Sequence, residues 1–550
     1  MACHAPLREY SQILVHACFA KSVIVRDLYI CYNLLKIPAF PADSEKSMKL
    51  YLYGHEYKYA VEQMLLTLFP NERPEYPDAP ADGERMEISL KRGEKLTTGS
   101  CALYRGGQVW HGTARAENAA MCDPLQRDRI CQRLVKNAIY RAALRSGVKK
   151  PAWGALTGVR PGKLLAGLMN AGLDEKQAAK RFAKEYDVSG ARVKLCLATT
   201  RETLKAESSL DARDVCLYVG IPFCPTRCAY CSFVSQSVEK SMKLVTPFCE
   251  ALEKEIAATA AQVKKLGLRP VSLYMGGGTP TTLEAPQLDR LCTVLAENFD
   301  LSSLREYTVE AGRPDTITEE KLRVLRAHGV DRVSVNPQTM SDRVLELIGR
   351  RHTAADIVSA LEKVRRVGGF DVNMDLIAGL PGDSVEGFRE TLEKVLTLGA
   401  ENVTVHTLSL KKGSRITLEE TPIPGAEEVA AMLEYAAGRL TAAGYAPYYL
   451  YRQKFMSGGF ENVGWAKAGR INLYNIVIME ELRSILAMGG GGSTKLVRLD
   501  GGRNIRLMAP KYPLEYIEKI DDTCAEKQKI SDFYKQLSSP AASGEKTEYV

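Results

Sequence analysis

No apolar run in this chain reaches the ~18 residues that a membrane-spanning helix needs, and charged residues make up 25% of it. The sequence therefore offers no transmembrane span. Ser11 to Ala20 is mildly apolar but lacks a basic n-region and a small-residue cleavage pattern, which argues against a signal peptide. No RNA-binding motif occurs, and a net charge of +8 over 550 residues is too modest to demand nucleic acid; it leaves room for an acidic small molecule. A disulfide framework is missing too. Of fourteen cysteines, the eleven outside one triplet show no regular spacing, which fits a reducing cytoplasm. The expectation is a soluble enzyme with two or more cores.

The triplet is Cys224-Pro-Thr-Arg-Cys228-Ala-Tyr-Cys231. Three thiolates spaced C-x3-C-x2-C can hold three corners of a [4Fe-4S] cube and leave the fourth iron without a protein ligand. A zinc ion would want a fourth Cys or His nearby; Cys216 begins the preceding strand and Cys249 lies in a helical pattern, so neither serves well. Leu217 to Ile221 reads as a strand and Lys240 to Leu266 as a long amphipathic helix, so the triplet sits on a strand-to-helix loop.

From Cys216 onward strands and helices alternate with short connections, the pattern of a parallel α/β barrel. Six strands are expected: Leu217 to Gly220, Val271 to Met275, Tyr307 to Ala311, Arg332 to Val335, Val372 to Ala378 and Val403 to Thr407. Six are too few for eight-stranded closure, so the fold class is α/β with a partial (β/α)6 barrel. Active residues of such barrels gather at the C-terminal strand ends. There this chain carries Gly276-Gly277-Gly278-Thr279-Pro280, 45 residues after Cys231, where glycines let backbone approach a ligand. It also carries Glu310, Gln338 and Asp375, with Arg350 after the following helix; carboxylates can accept from hydroxyls, and a guanidinium can pair with a carboxylate.

Residues 1–47 form an extension without periodicity, and strand and helix patterning begins at Met48. A small α+β domain spans 48–148, with Glu72 to Arg85 read as a loop and Asp123 as a helix N-cap. Residues 149–210 form a helical linker in which Gly158, Arg160 and Lys163 could bind an anion, though packing between domains is the commoner role of such a stretch. The barrel spans 211–444, a C-terminal region on the substrate side 445–535, and a disordered tail 536–550. The first 47 residues are expected to be dispensable, with Met48 an alternative start. Met479 to Met488 reads as helical and leads into Gly489 to Gly492, either a turn near the substrate or a surface loop.

The triplet, its strand-to-helix loop and the glycine segment resemble the radical S-adenosylmethionine (SAM) superfamily. The Tyr-x-x-Ile-Pro-Phe-Cys, Gly-Gly-Gly-Thr-Pro-Thr, Val-Glu-Ala, Pro-Gln-Thr and Asp-Leu-Ile-x-Gly-Leu-Pro segments, between about Cys216 and Lys511, look like the oxygen-independent coproporphyrinogen III oxidase family. Gly-Ile-Pro-Phe-Cys-Pro-Thr-Arg-Cys, Asn-Pro-Gln-Thr-Met and the extra N-terminal domain are similar to its HemZ branch. The resemblance implies a [4Fe-4S] cluster on Cys224, Cys228 and Cys231. It implies SAM held by Tyr218, Tyr230, Gly277, Gly278, Thr279, Glu310, Gln338, Arg350 and Asp375, with Tyr230 beside the adenine and the open iron chelating the amino and carboxylate groups of SAM. The decarboxylase branch can host a second SAM. The implied reaction is oxidative decarboxylation of coproporphyrinogen III to protoporphyrinogen IX by a 5′-deoxyadenosyl radical, fed by a donor such as flavodoxin or ferredoxin. Arg415, Arg452 and Lys454 are candidate propionate contacts. Two departures stand out: Gly220 occupies the place of a His found in most of the family, and the N-terminal domain is extra. One branch of the family carries haem and is marked by a His-Asn-x-x-Tyr-Trp segment; here Ile471 replaces the His and no Trp follows Tyr474. Radical chemistry on another tetrapyrrole remains a third reading.

Overall fold

The computed structural model describes residues 46–538 apart from 80, 232–235, 238–240, 411–413, 420, 454–456 and 501. Its first sheet holds β1 (Lys46–Tyr53), β2 (Glu72–Glu75), β3 (Arg85–Arg92), β4 (Leu96–Arg105) and β5 (Gln108–Glu117) in the order β2-β1-β3-β4-β5. Alternation along β3 and β4 buries Met86, Ile88, Leu90, Cys101 and Leu103 in one core with the helices Lys58–Leu68 and Pro124–Arg145. Asp123 caps the second helix by accepting from the Gln126 N–H. Glu72–Glu75, expected as loop, is instead an edge strand parallel to β1; Pro74 is tolerated because an edge strand leaves one side of its ladder unused. β1 begins at Lys46, two residues before the expected boundary, and residues 1–45 lie outside those described.

Three helices follow within the stretch expected as a helical linker, Pro161–Asn170, Glu175–Tyr186 and Gly190–Ser208. They are packed. Trp153 is buried and donates to Glu461 Oε2 at 2.6 Å, and Arg192 pairs with the same carboxylate at 2.8 Å. Arg160 and Lys163 both pair with Glu481, at 2.5 and 3.2 Å, so the chain itself supplies the anion they hold.

The second sheet accounts for β6 (Asp214–Ile221), β9 (Arg269–Gly277), β10 (Glu306–Val309), β11 (Arg332–Ser334), β12 (Asp371–Ala378), β13 (Asn402–Thr407), β14 (Ala446–Arg452), β15 (Glu461–Ala466), β16 (Ser484–Gly489), β17 (Ser493–Leu496) and β18 (Ile505–Met508), while β7 (Phe223–Cys224) and β8 (Gln236–Ser237) form a two-residue ladder of their own. The order is β14-β15-β13-β12-β11-β10-β9-β6-β16-β17-β18, and β16 through β13 run parallel. All six expected strands are present. The seventh parallel strand, β16, falls in the run expected as helix, which ends as a helix at Glu480 and re-forms as a strand from Ser484. A short apolar run buried on every side has no period to read, and pairing with β6 decides it.

The sheet curls. The helix Leu473–Glu480 touches β14 through the Asn475 amide, which donates to the Tyr448 hydroxyl at 3.1 Å, and touches β6 and β9 through Tyr474, whose ring stacks at 6.3 Å from Tyr218 and 4.4 Å from Tyr274. Its first N–H groups, of Leu473 and Tyr474, donate to the buried Glu306 at the start of β10, a carboxylate placed where a helix N-terminus favours it.

Helices Pro513–Glu518, Ile520–Glu526 and Gln528–Ser538 pack on the long helix Val245–Leu266, so ordered chain continues past the expected tail boundary at 536; residues 539–550 lie outside those described. Glu255 of the long helix is fully buried and fully engaged: Lys527 Nζ lies 2.6 Å from Oε1, and Oε2 accepts from the Gly489 N–H at 2.7 Å and from the Tyr516 hydroxyl. The glycine turn after β16 is thereby clamped and is no loose surface loop. Gly489 has φ +94°, and a Cβ there would run into the Gly220 carbonyl of β6. Gly489→Ala should cost about 1–3 kcal/mol by overpacking, measured by chemical denaturation of the full chain; an unchanged midpoint would contradict this contact.

Candidate active site at the strand ends

The cysteine loop leaves β6 and is held by backbone. Ala229 N–H donates to the Ile348 carbonyl at 2.9 Å, Cys231 N–H to the Cys228 carbonyl at 3.1 Å, and Ile416 N–H to the Ala229 carbonyl at 3.3 Å. The glycine segment at the end of β9 is stapled to the same loop: Gly278 N–H donates to Ile221 O at 2.8 Å and Thr279 N–H to Phe223 O at 2.7 Å. A Cβ on Gly278 would overlap the Phe223 carbonyl, so only glycine permits this approach. Thr279 Oγ1 then lies 3.4 Å from Cys224 Sγ.

Among the described residues no three His, Cys, Asp or Glu side chains gather as a single metal ion requires. A four-iron cube asks for something else, three thiolates each reaching a separate corner, and the donor set here is three cysteines with hydrogen-bond donors beside two of them. The residues fit such a cluster.

Around this loop stand the other residues singled out by sequence. Arg350, 7% exposed, donates from Nη1 to Asn336 O at 2.6 Å and from Nη2 to the Tyr230 hydroxyl at 3.1 Å, while its Nε has no partner. Burial would push its pKa down, but Tyr230 and Cys228 raise it, so the guanidinium stays charged. Two residues after Asn336, Gln338 takes a left-handed backbone at φ 67°, bridges to β12 through its own N–H to Asp375 O at 2.9 Å, and leaves its buried Oε1 without a donor. Such strain in a non-glycine residue costs about 1–3 kcal/mol and collects at functional sites.

Glu310 directly follows β10, and Asp375 lies within β12, three residues before its end. Tyr274 donates to Glu310 Oε1 at 2.6 Å. Burial pushes the Glu310 carboxyl up to about 7, with the Asp375 charge adding to the rise and Tyr274 opposing it. Burial also acts upward on Asp375, but His406, 3.8 Å away, with the Asn373 amide at 2.8 Å and Thr404 hold it below the usual carboxylate range. The Tyr451 hydroxyl lies 3.5 Å from the far nitrogen of His406. Tyr218 stacks with Tyr274 on the neighbouring strand. The site thus unites Tyr218, Tyr230, Gly277, Gly278, Thr279, Glu310, Gln338, Arg350 and Asp375 with the cysteine loop at one end of the sheet.

Sequence reasoning missed Tyr274, Asn336, Asn373, His406, Tyr474 and Arg313. Strict alternation in Val403-Thr404-Val405-His406 and Asn373-Met374-Asp375 was the available signal for the strand residues. Of the propionate candidates, Arg415 lies beside the site: its helix Arg415–Leu418 meets the cysteine loop through Ile416, and its Nε pairs with Glu419 at 3.1 Å. Arg452 is placed otherwise. It is 7% exposed and donates to the carbonyls of Leu156, Gly158 and Gly459, so its donors lock the linker onto β14 and leave nothing for a substrate. Lys454 lies outside the described residues. At Gly220 a Cβ would sit 3.0 Å from Gly490 O and 3.2 Å from the Tyr218 ring, so the clamped glycine turn crowds the place where relatives are expected to carry His.

A family model described as the radical SAM superfamily matches residues 218–395. Over 382 residues the chain is 40% identical to the oxygen-independent coproporphyrinogen-III oxidase-like protein HemZ of Bacillus subtilis, covering 68% of this chain and 76% of that protein. The chain belongs to this HemZ-like family. Members of the radical SAM superfamily hold a [4Fe-4S] cluster and SAM, which the cysteine and glycine loops suit. Two more distant relatives cover 44% of this chain: the heme chaperone HemW of Lactococcus lactis, 33% identical over 63% of its own length, and the oxygen-independent coproporphyrinogen III oxidase of Salmonella typhimurium, 33% identical over 53% of its length. Among solved structures, coproporphyrinogen III oxidase HemN from Escherichia coli aligns with a TM-score of 0.46 at 24% identity, covering 61% of this chain and 81% of that one. Among the described residues no helix is long and apolar enough to cross a membrane.

Glu310 binds its proton more tightly in the folded protein than in the unfolded chain, so its stabilising contribution is present below the ordinary carboxyl value of 4.5 and is lost as pH rises toward about 7. Glu310→Gln should flatten this part of the stability profile relative to the unsubstituted protein, compared by denaturation at about pH 5 and about pH 8. Parallel profiles would contradict the raised carboxyl.

Proposed function

We propose that the chain is a radical SAM oxidoreductase of tetrapyrrole metabolism that decarboxylates two propionates of coproporphyrinogen III to vinyl groups, giving protoporphyrinogen IX. The observation that carries the reading is the union of the cysteine loop with the glycine loop, beside the carboxylates of Glu310 and Asp375. The names of the oxidase-like HemZ and the coproporphyrinogen III oxidase relatives support this substrate. When bound, the cluster and SAM supply a 5′-deoxyadenosyl radical able to take a propionate β-hydrogen, after which CO2 leaves and an acceptor takes the remaining electron.

The protein's own residues position and shield. The cysteines would hold three irons, and the backbone at Gly277 and Gly278 would receive the SAM methionyl end. Glu310 and Asp375 accept from the ribose hydroxyls, Asp375 being kept ionised and oriented by Asn373 and His406. The Arg350 Nε–H and the Gln338 Oε1, unpartnered and buried, receive polar groups of SAM, and Tyr230, fixed by Arg350, stands beside the adenine. Arg415 at the loop meets a propionate. The electron for the cluster would come from a donor such as flavodoxin or ferredoxin. The haem-carrier alternative gains no support from Arg470–Asn475: Tyr474 is buried in the ring stack, and the Ile471 carbonyl is held by Arg332.

Anaerobic turnover of coproporphyrinogen III, followed by product mass, should yield protoporphyrinogen IX; SAM cleavage that leaves this substrate unchanged would send the assignment to another tetrapyrrole. Asp375→Ala and Arg350→Ala should each weaken SAM binding about ten- to more than a hundredfold, as hydrogen bonds to charged groups worth roughly 1.5–3 kcal/mol imply, while iron content stays unchanged. Equal SAM affinity in both variants and the parent, by equilibrium binding, would refute their placement.

A further inference from the structure

Arg313 follows Glu310 by three residues, yet its side chain turns to the cysteine loop. It is 3% exposed, and each of its three guanidinium nitrogens has a partner. Nε and Nη2 hold the two oxygens of Asp315 at 3.1 Å each, a bidentate pair, and Nη1 reaches Thr226 Oγ1 at 3.0 Å, the Thr226 carbonyl at 3.5 Å and Cys228 Sγ at 3.8 Å. Thr226 in turn donates to Gly349 O at 3.2 Å, next to Arg350. His352 completes the surroundings. It is 4% exposed with both ring nitrogens unpartnered, its Nδ1 lies 4.0 Å from Asp315, and burial with Arg350 and Arg313 lowers its pKa to about 4, so it adds no charge near neutrality.

A buried guanidinium is costly unless paired, and the Asp315 pair alone would satisfy that need. What the pair does not explain is the third arm, an N–H aimed at a sulfur that the cluster uses. Hydrogen bonds to cluster sulfurs and the net charge beside them are the chief protein controls on reduction potential. A cation at the thiolate favours the reduced cluster, which carries one more negative charge.

We propose that Arg313 is a positioning residue that raises the reduction potential of the cluster by donating to the Cys228 thiolate, with Asp315 setting how much of its positive charge the cluster feels. The proposal rests on the cluster reading and goes beyond it, because no SAM or substrate contact is assigned to either residue.

The test is the reduction potential of the anaerobically reconstituted full chain without SAM, read by electron paramagnetic resonance, together with iron content. In Arg313→Gln the ratio of reduced to oxidised cluster at a fixed solution potential should fall about tenfold, equivalent to about 59 mV for one electron, with iron retained. Arg313→Lys should recover part of the shift. In Asp315→Asn the potential should move the opposite way, upward, since a compensating anion is lost while the Thr226 and Cys228 contacts remain. General loosening of the loop would move both variants in one direction. Shifts of equal sign, or none in either variant, with iron retained in the parent, would overturn the proposal alone. A parent protein that binds no iron would overturn the cluster reading, and this proposal with it.

Discussion

Two backbone hydrogen bonds, from Gly278 to Ile221 and from Thr279 to Phe223, join the glycine segment at the end of β9 to the cysteine loop leaving β6. Parallel pairing brings these strand ends side by side, with Tyr218 opposite Tyr274 and Gly220 opposite Gly276. The absence of a Cβ at Gly278 lets the backbones close the last gap. From that junction follow the Thr279 contact with Cys224 and the common mouth at which Glu310 and Asp375 arrive from β10 and β12. The far side of β6 is fixed independently, by β16 and the Glu255 clamp on Gly489. The cysteine loop thus departs from a strand held on both flanks, the rigid support that a site of this kind needs.

The site has two electrostatic poles. Buried arginines, Arg313 and Arg350, touch the cysteine loop, and carboxylates, Glu310 and Asp375, come from β10 and β12. The carboxylates are not equivalent: burial and the neighbouring charge raise Glu310, whereas hydrogen bonds and His406 keep Asp375 low. Two close anions in a low-dielectric setting are driven apart in pKa in this way. One group therefore stays a dependable acceptor while the other can share its proton near neutral pH.

The strands of the parallel sheet were legible because each is short, apolar and bounded by turn signals, and the C-terminal strand ends gave away the glycine segment, Glu310, Gln338 and Asp375. What stayed hidden has physical causes. β16 has no periodicity because it is buried on every side, and only its pairing with β6 makes it a strand. Arg313 and Cys228 are 85 residues apart in sequence, and nothing local predicts their contact. Arg452 looked like an anion contact as any Arg near a barrel end does, but its role came from the carbonyls of a distant linker. Glu255 reads as one more charge on an amphipathic helix; its burial depends on Lys527 arriving from the C-terminus.

The central claim is that three thiolates leave one iron open and that the glycine loop presents SAM to it. The most direct measurement is pulsed electron-nuclear double resonance on the reduced cluster with SAM labelled by nitrogen-15 at the methionyl amino group. The account predicts a resolved hyperfine coupling between the cluster and that nitrogen. SAM bound without any such coupling would contradict it.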